Sequence, residues 1–287
     1  MSLHTIAGVQ RHTDFSPNHV GNDAAIFAAV TENLRAAGHT VNVYTELDYI
    51  AGRGNERYIY NMVRSHAALQ RLQQQERSGA VAVNSGFGIE NCTRERMTTI
   101  LTDSGVPHPK SVVMNVTDDV PQSMKDGFEP CWVKRADFHA IHKEDVTYVR
   151  NLAELKEVMN EYALRGIGRV VINEHLAGDL IKFYGVNGTD FFYWFYPYNM
   201  KHSKFGLEKI NGAPVGIHFS EDTLKEICSR AASALNVDVY GGDAIVNADG
   251  TMKIIDFNDW PSFAPCRDEA ARAIAEVIIR KIENTQE

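Results

Sequence analysis

Short apolar runs and longer amphipathic stretches take turns along this chain, and the alternation is most regular in its first third. A short apolar run over 5–9 predicts a strand. Ile26, Ala29, Val30 and Leu34 then recur at helical spacing within 23–37, which Gly38 closes. Further strands are predicted over 40–44, 58–62 and 80–83, and a helix carrying Leu69 and Leu72 over 65–77, while 50–57 reads as loop. Strands alternating with helices in this way predict a small parallel α/β unit. Such units bind ligands at the carboxyl ends of their strands. The polar loop RHTDFSPNHVGND (11–23) and the turn Asn84-Ser85-Gly86 are therefore candidate substrate walls. The plainer reading is that these residues only make turns.

The rest of the chain mixes the two periodicities less regularly. A helix over 93–104 is closed by Gly105, and a strand follows over 111–114. After a looser segment, 117–130, comes an apolar strand over 131–135 in which Lys134 lies on the face opposite Val133. The polar stretch ADFHAIHKED (136–145) leads to a strand over 146–149. Asn151 caps a helix to 164. A buried type of strand over 169–173 ends in Glu174. The runs 180–186 and 191–196 form a hairpin about Asn187-Gly188, and a basic loop, YNMKHSKFGLEKINGAP, follows. Ser220 caps a helix to 235, and a last helix spans 267–282.

Between those last two helices lies YGGDAIVNADGTMKIIDFNDWPSF (240–263). Apolar and polar positions alternate on both sides of Asp249-Gly250, a two-residue hairpin signal because such a turn needs positive φ at its centre. Pairing outward sets Ala248 against Thr251, Asn247 against Met252, Ile245 against Ile254, and Asp243 against Asp256. Asp243, Ile245, Ile254 and Asp256 then share one face, with Asn258 projecting the same way. Carboxylates directly opposite each other repel, so this face calls for a cation. Two carboxylates and an amide oxygen are hard ligands that suit Mg²⁺ or Mn²⁺. The alternative is a pair of surface acids.

Composition narrows the setting. With 44% hydrophobic and 23% charged residues in 287, the chain has ordinary globular content, enough for two or three subdomains. A formal net charge of −8 argues against a general nucleic-acid binder. Cys92, Cys131, Cys228 and Cys266 form no CxxC pair, so neither a zinc site nor a disulfide framework is expected, and a reducing compartment fits. No signal peptide and no membrane-spanning run is evident. A cytoplasmic protein with a small-molecule substrate is expected, without nucleic-acid or membrane partners; homodimerisation is left open.

From about residue 80 onward the order of features resembles the ATP-grasp superfamily. AVAVNSGFGIENCTRERMTTILTDSGVPHPKSVV resembles the segment entering its ATP-binding lobe. CWVKRA resembles the strand whose lysine touches the nucleotide phosphates. RVVINEHLAGD resembles the hinge that grips adenine, DLIKFYGVNG the strand entering the second lobe, and GGDAIVNADGTMKIIDFNDWPSF the metal-binding hairpin. The resemblance implies an α/β protein of ATP-grasp fold (two α+β lobes). A small N-terminal domain would span 1–90, a first lobe 91–173 and a second lobe 174–287. It implies Mg-ATP (or Mn-ATP) as cofactor, with Asp243, Asp256 and Asn258 holding the metal. Lys134 and Lys182 would bind phosphates. Asn173, Glu174, His175 and Leu176 would meet adenine, with Val171, Ile172 and Leu176 flanking the ring. Glu174 and Asp179 are candidates for the ribose hydroxyls or the adenine amino group.

Some positions depart from that pattern. The usual first lysine of the entering helix appears as Arg96, or alternatively Arg94, a planar fork in place of a point charge. The loop over the triphosphate, 136–145, has no glycine but carries His139, His142 and Lys143. This resembles inositol-polyphosphate kinases of the same superfamily, as do Asp256 and the LIKF around Lys182. Lys201, His202, Lys204, Lys209 and Arg267 would suit a γ-phosphate or an anionic substrate; the bland alternative is a solvated loop. The resemblance implies a ligase that activates a small-molecule carboxylate as an acylphosphate for an amine or other nucleophile. A small-molecule kinase of inositol-polyphosphate type and a non-catalytic nucleotide-binding module are the alternatives.

Overall fold

Strand and helix alternate through the first unit of the computed structural model, which describes residues 3–17, 19–121, 124, 128–136, 145–200 and 210–285. The order is β1 (Thr5–Val9), α1 (Val20–Ala36), β2 (Thr40–Tyr44), α2 (Glu46–Ile50), β3 (Tyr58–Asn61), α3 (His66–Arg77), β4 (Val81–Val83), α4 (Gly86–Asn91) and α5 (Arg94–Asp103). Next come β5 (Ser111–Asn115), β6 (Cys131–Arg135), β7 (Val146–Val149), α6 (Leu152–Leu164), β8 (Arg169–Glu174), β9 (Asp179–Val186), β10 (Phe192–Phe195) and α7 (Pro197–Met200). The chain closes with α8 (Glu221–Leu235), β11 (Val239–Val246), β12 (Met252–Asp259) and α9 (Arg267–Asn284). Three short helices, α2, α4 and α7, were not anticipated. Helix α2 starts at a capping box, Thr45 with Asp48, and α4 begins at the cap Ser85 where only a turn was expected.

The first sheet has the order β2-β1-β3-β4 and is wholly parallel. Alternation along β1 sends Ile6 to one face and Ala7 and Val9 to the other. Ala7 and Val9 pack with Tyr49, Leu72 and Ile89, while Ile6 packs with Ile26, Val30 and Leu34 of α1. Ile274 and Ile278 of α9 join that second cluster. The C-terminal helix therefore completes the N-terminal core, although by sequence it follows the second lobe.

The middle sheet, β5-β8-β6-β7, is antiparallel and lies on α6. Val133 and Ile172 face α6 with Leu155 and Met159. Ile172 thus lies in this lobe's core, and the expectation that it flanks adenine is corrected: strand alternation puts it on the face away from Lys134. The other face carries two rows, Ser111–Asn173–Trp132–Tyr148 and Val113–Val171–Lys134–Val146.

The third sheet, β10-β9-β11-β12, is also antiparallel. Its back face buries Ile181, Phe183, Ala244, Val246, Ile254 and Phe257 against Leu101 of α5 and Leu224, Cys228 and Leu235 of α8. Each of the Ile, Leu, Val and Phe side chains among them contributes about 1.5–3 kcal/mol when fully buried. The front face carries the row Phe195–Lys182–Asp243–Asp256, followed by Tyr193–Tyr184–Gly241–Asn258.

The hairpin of this sheet contains two irregularities. The loop is Ala248-Asp249-Gly250, not the two-residue turn expected, since Asn247 N–H donates to Thr251 O at 2.8 Å. Gly250, at φ 79°, supplies the left-handed residue that a three-residue loop requires. This shifts the near half of the ladder by one, so Val246 faces Met252 and Ala244 faces Ile254. A β-bulge at Ile255 then restores Asp243 opposite Asp256. Ile254 consequently faces the core and not the side of the two acids, a second correction.

Gly242 has no room for a side chain: a Cβ there would lie 2.2 Å from Asp256 O. Gly242→Ala is expected to destabilise the protein by about 2–4 kcal/mol by pushing the paired strands apart. Thermal or urea unfolding measures this, and an unchanged midpoint would mean that the ladder opens freely.

Candidate active site between the two lobes

The paired acids are met by cations from neighbouring elements. Lys182, opposite Asp243 on β9, places Nζ 2.6 Å from Asp243 Oδ1. Arg94, at the start of α5, places Nη2 3.7 Å from Asp256 Oδ1. Asn258 Nδ2 donates to Asp256 Oδ2 at 3.2 Å, so the amide stands on the same face as the acids. Burial alone would lower the Lys182 pKa, but Asp243, Tyr184 and Asp256 together outweigh it and hold the ammonium above its ordinary value. The Tyr184 hydroxyl is pushed up to about 12 by burial.

Lys134 reaches this group from the other lobe. Its ammonium donates to Ile255 O at 3.1 Å, the carbonyl of the bulged residue. Burial, reinforced by Arg94 and opposed by Asp256 and Asp243, lowers its pKa to about 8. Segment 107–108 covers the outer edge of β12, where Ile254 N–H donates to Pro107 O at 2.9 Å and His108 Nδ1–H donates to Ile254 O at 2.7 Å. Burial, with Lys134 adding to it, pushes His108 down to about 4, so it stays neutral.

The hinge end is aromatic and polar. Trp132 Nε1–H donates to His175 Nδ1 at 3.1 Å, and Tyr148 stands edge-on to His175 at 5.2 Å. Burial lowers the His175 pKa, and the Trp132 bond leaves the proton of the neutral ring on Nε2. Glu174 Oε1 accepts from Lys253 Nζ at 2.8 Å and from Lys110 N–H at 2.9 Å. Burial opposes ionisation of Glu174, yet these partners outweigh it and bring the carboxyl below its usual range. Asn173 Nδ2 donates to Ser111 Oγ at 2.7 Å, and Leu176 O accepts from Asn211. Asp179 accepts the N–H groups of Val215, Gly216 and Ile217, each at 2.8 Å. That carboxylate anchors a loop, at a residue that was a candidate for the ribose hydroxyls or the adenine amino group.

The structure thus brings Lys134, Lys182, Asp243, Asp256 and Asn258 together, with Glu174, His175 and Asn173 at the hinge end. Arg96 is not among them. It is half-exposed and donates to Asn91 Oδ1 at 3.1 Å, whereas Arg94 is 5% exposed beside Asp256. Arg94, Met97 and Leu101 share the inward face of α5, a helical spacing that was legible in the sequence. Arg267 donates to Asn22 Oδ1 at 3.0 Å, tying α9 to α1. His139, His142, Lys143, Lys201, His202, Lys204 and Lys209 lie outside the described residues.

Arg64 was missed in the sequence, and Arg11 was noted only as part of the loop 11–23. Arg11 donates to Asp23 Oδ2 at 3.0 Å and to Trp260 O at 2.9 Å. Arg64 donates to Asp259 O at 3.0 Å and pairs with its carboxylate. They follow β1 and β3, at the carboxyl ends of parallel strands, and clamp the chain just beyond Asn258.

Asp243, Asp256 and Asn258 are an oxygen-only set that fits Mg²⁺ or Mn²⁺. Among the described residues no group of three or more His, Cys, Asp and Glu could hold a metal ion by itself.

This arrangement, a parallel α/β unit followed by two antiparallel sheets each backed by helix, is the ATP-grasp fold, and solved structures show it. D-alanine–D-alanine ligase from Bacillus anthracis, complexed with ATP, matches at TM-score 0.70 and 14% identity over 99% of both chains. The ATP-grasp ligase PsnB, complexed with a minimal precursor, matches at 0.61 and 18% identity over 96% of this chain and 98% of that one. A RimK domain ATP-grasp protein from Sphaerobacter thermophilus matches at 0.67 and 12% identity over 96% and 99%. No protein-family model and no curated protein matches the sequence. At these identities the likeness is one of fold.

Lys134 should titrate with a midpoint near pH 8 in the folded protein, read by NMR of its side-chain carbon. Asp256→Asn should lower that midpoint further, since Asp256 favours the ammonium; an upward or absent shift would remove the coupling. Below about pH 8 the buried ammonium destabilises the fold, and that penalty is relieved as pH rises from about 8 toward the unfolded value, where the unfolded chain binds more protons.

Proposed function

We propose that this chain is a Mg-ATP-dependent ligase that activates a small-molecule carboxylate as an acylphosphate and joins it to an amine or another nucleophile. The observation that carries the reading is the convergence of Lys134, Arg94 and Lys182 on the Asp243–Asp256–Asn258 face. Lys134 and Lys182 approach from opposite sheets, which suits gripping a polyphosphate between lobes. Asp243, Asp256 and Asn258 would hold the divalent ion, which neutralises charge on the transferred phosphoryl group. The hinge end, with Glu174, His175, Trp132 and Tyr148, offers donors, acceptors and ring faces to adenine. Catalysis of this kind is positioning plus charge neutralisation, consistent with a site built of cations and hard acids. The kinase alternative needs cations for a polyphosphate acceptor. Arg11 and Arg64, at the carboxyl ends of β1 and β3, are each already paired with an aspartate, which weighs against it. No helix among the described residues is long and apolar enough to cross a membrane.

Mg-ATP should raise the melting temperature by mass action, about 2.7 kcal/mol at a hundredfold excess over Kd, and Asp256→Asn should abolish ATP turnover while remaining folded. No shift at millimolar nucleotide removes the reading. Nucleotide affinity should weaken as pH rises through about 8, where Lys134 loses its proton, and Lys134→Arg should flatten that dependence; a pH-independent wild type would contradict the role.

Incubation with Mg-ATP and a metabolite extract identifies the acceptor. ADP together with a condensed product supports the ligase, whereas an acceptor gaining only a phosphoryl mass supports the kinase.

A further inference from the structure

The two hairpin acids are not waiting for a metal alone. Asp243 has Lys182 Nζ at 2.6 Å, and Asp256 has the Arg94 guanidinium at 3.7 Å. Lys134 adds a third cation whose charge couples to both acids and to Arg94. Among the described side chains of this cluster, two negative charges therefore face three positive ones. The donor set is also short. A divalent ion of this type takes six or more oxygens, and no third acid, histidine or cysteine completes a group around Asp243 and Asp256 among the described residues.

We infer that Lys182 acts as a counter-ion lock on Asp243, so that the site takes up a divalent ion only together with a polyphosphate. This rests on the reading of the cleft as a nucleotide site. A lone Mg²⁺ or Mn²⁺ meets an excess of fixed positive charge and an Asp243 oxygen already engaged by an ammonium; like charges at such separations repel strongly in a partly dry cleft. A triphosphate reverses both conditions. It brings several negative charges and new oxygen ligands, and it gives the Lys182 ammonium a second anion. Lys182 stands between Asp243 and Phe195 in its row of the sheet, so its only acid neighbour in that row is Asp243. Moving its ammonium toward phosphate frees Asp243 Oδ1 at the moment the metal arrives. Lys182 is in this respect a positioning residue for the ion as well as a phosphate contact.

The test is Mn²⁺ binding by the full chain, read as the excess Mn²⁺ on the protein side in equilibrium dialysis with the same nucleotide on both sides. Wild-type protein should retain no Mn²⁺ at sub-millimolar concentration, and should retain it when a non-hydrolysable ATP analogue is added. Lys182→Met, checked for folding by circular dichroism, should bind Mn²⁺ without nucleotide at least tenfold more tightly than wild type. Lys182→Arg, which keeps the charge, should behave as wild type; if the methionine variant does not fold, Lys182→Gln takes its place. Wild-type protein that binds Mn²⁺ alone as tightly as with the analogue would overturn the lock and leave the nucleotide reading standing. So would neutral Lys182 variants, both folded, that gain no affinity. Failure of wild type to bind Mn²⁺ even with the analogue would instead sink the nucleotide reading, and the lock with it.

Discussion

Asp243 and Asp256 stand directly across a strand pair from each other, a placement that is unfavourable unless cations meet it. Much of the molecule can be understood as the means of supplying them. Lys182 comes from the next strand, so the ladder β9–β11–β12 sets its distance. Arg94 comes from α5, whose inward residues Met97 and Leu101 are fixed by the same core that backs the hairpin. Lys134 comes from the other lobe, whose own core fixes β6 by burying Val133 against α6. Two packing clusters thus converge on a few ångströms of charged surface, and the charge balance there depends on both of them.

The N-terminal unit participates through the chain beyond Asn258. Trp260 and Phe263 adopt positive φ, 36° and 49°, a region that side-chain-bearing residues avoid at about 1–2 kcal/mol each. Both are fully buried in the core shared with α1 and α9. The backbone of Trp260 is held on both sides, by Arg11 at its carbonyl and by Val239 O at its N–H. Buried ion pairs such as Arg64–Asp259 are weak evidence for net stability, but removing one partner would leave an uncompensated charge. Their evident effect is geometric: they join the ends of β1 and β3 to the end of β12.

Local periodicity made most of this legible. The strands of the first sheet were readable as short apolar runs, since both of their faces are buried, and the Asp243–Asp256 opposition from alternation counted outward from Asp249-Gly250. The order of motifs led from there to the fold that solved structures share. What escaped was whatever depends on one extra residue or on distant partners. A two-residue turn and a regular ladder fit the hairpin sequence as well as a three-residue loop and a bulge, since both put the acids opposite each other. Arg11 and Arg64 carry no local signal, because their partners lie in other elements. Arg96 was preferred to Arg94 although helical spacing already favoured Arg94, and the family resemblance drew attention away from that spacing.

The bulge itself has a curious economy. If Ile255 were absent, β12 would read Ile254, Asp256, Phe257, Asn258 in succession, a perfect alternation of core and cleft positions, and every cross-strand partner would remain as it is. The hairpin does not need this residue for register, for its hydrophobic face or for the acid pair. What Ile255 adds is a main-chain oxygen outside the β11–β12 ladder, and that oxygen is the one Lys134 holds. The two lobes therefore touch, at their most highly charged point, through an atom that the sheet could have done without.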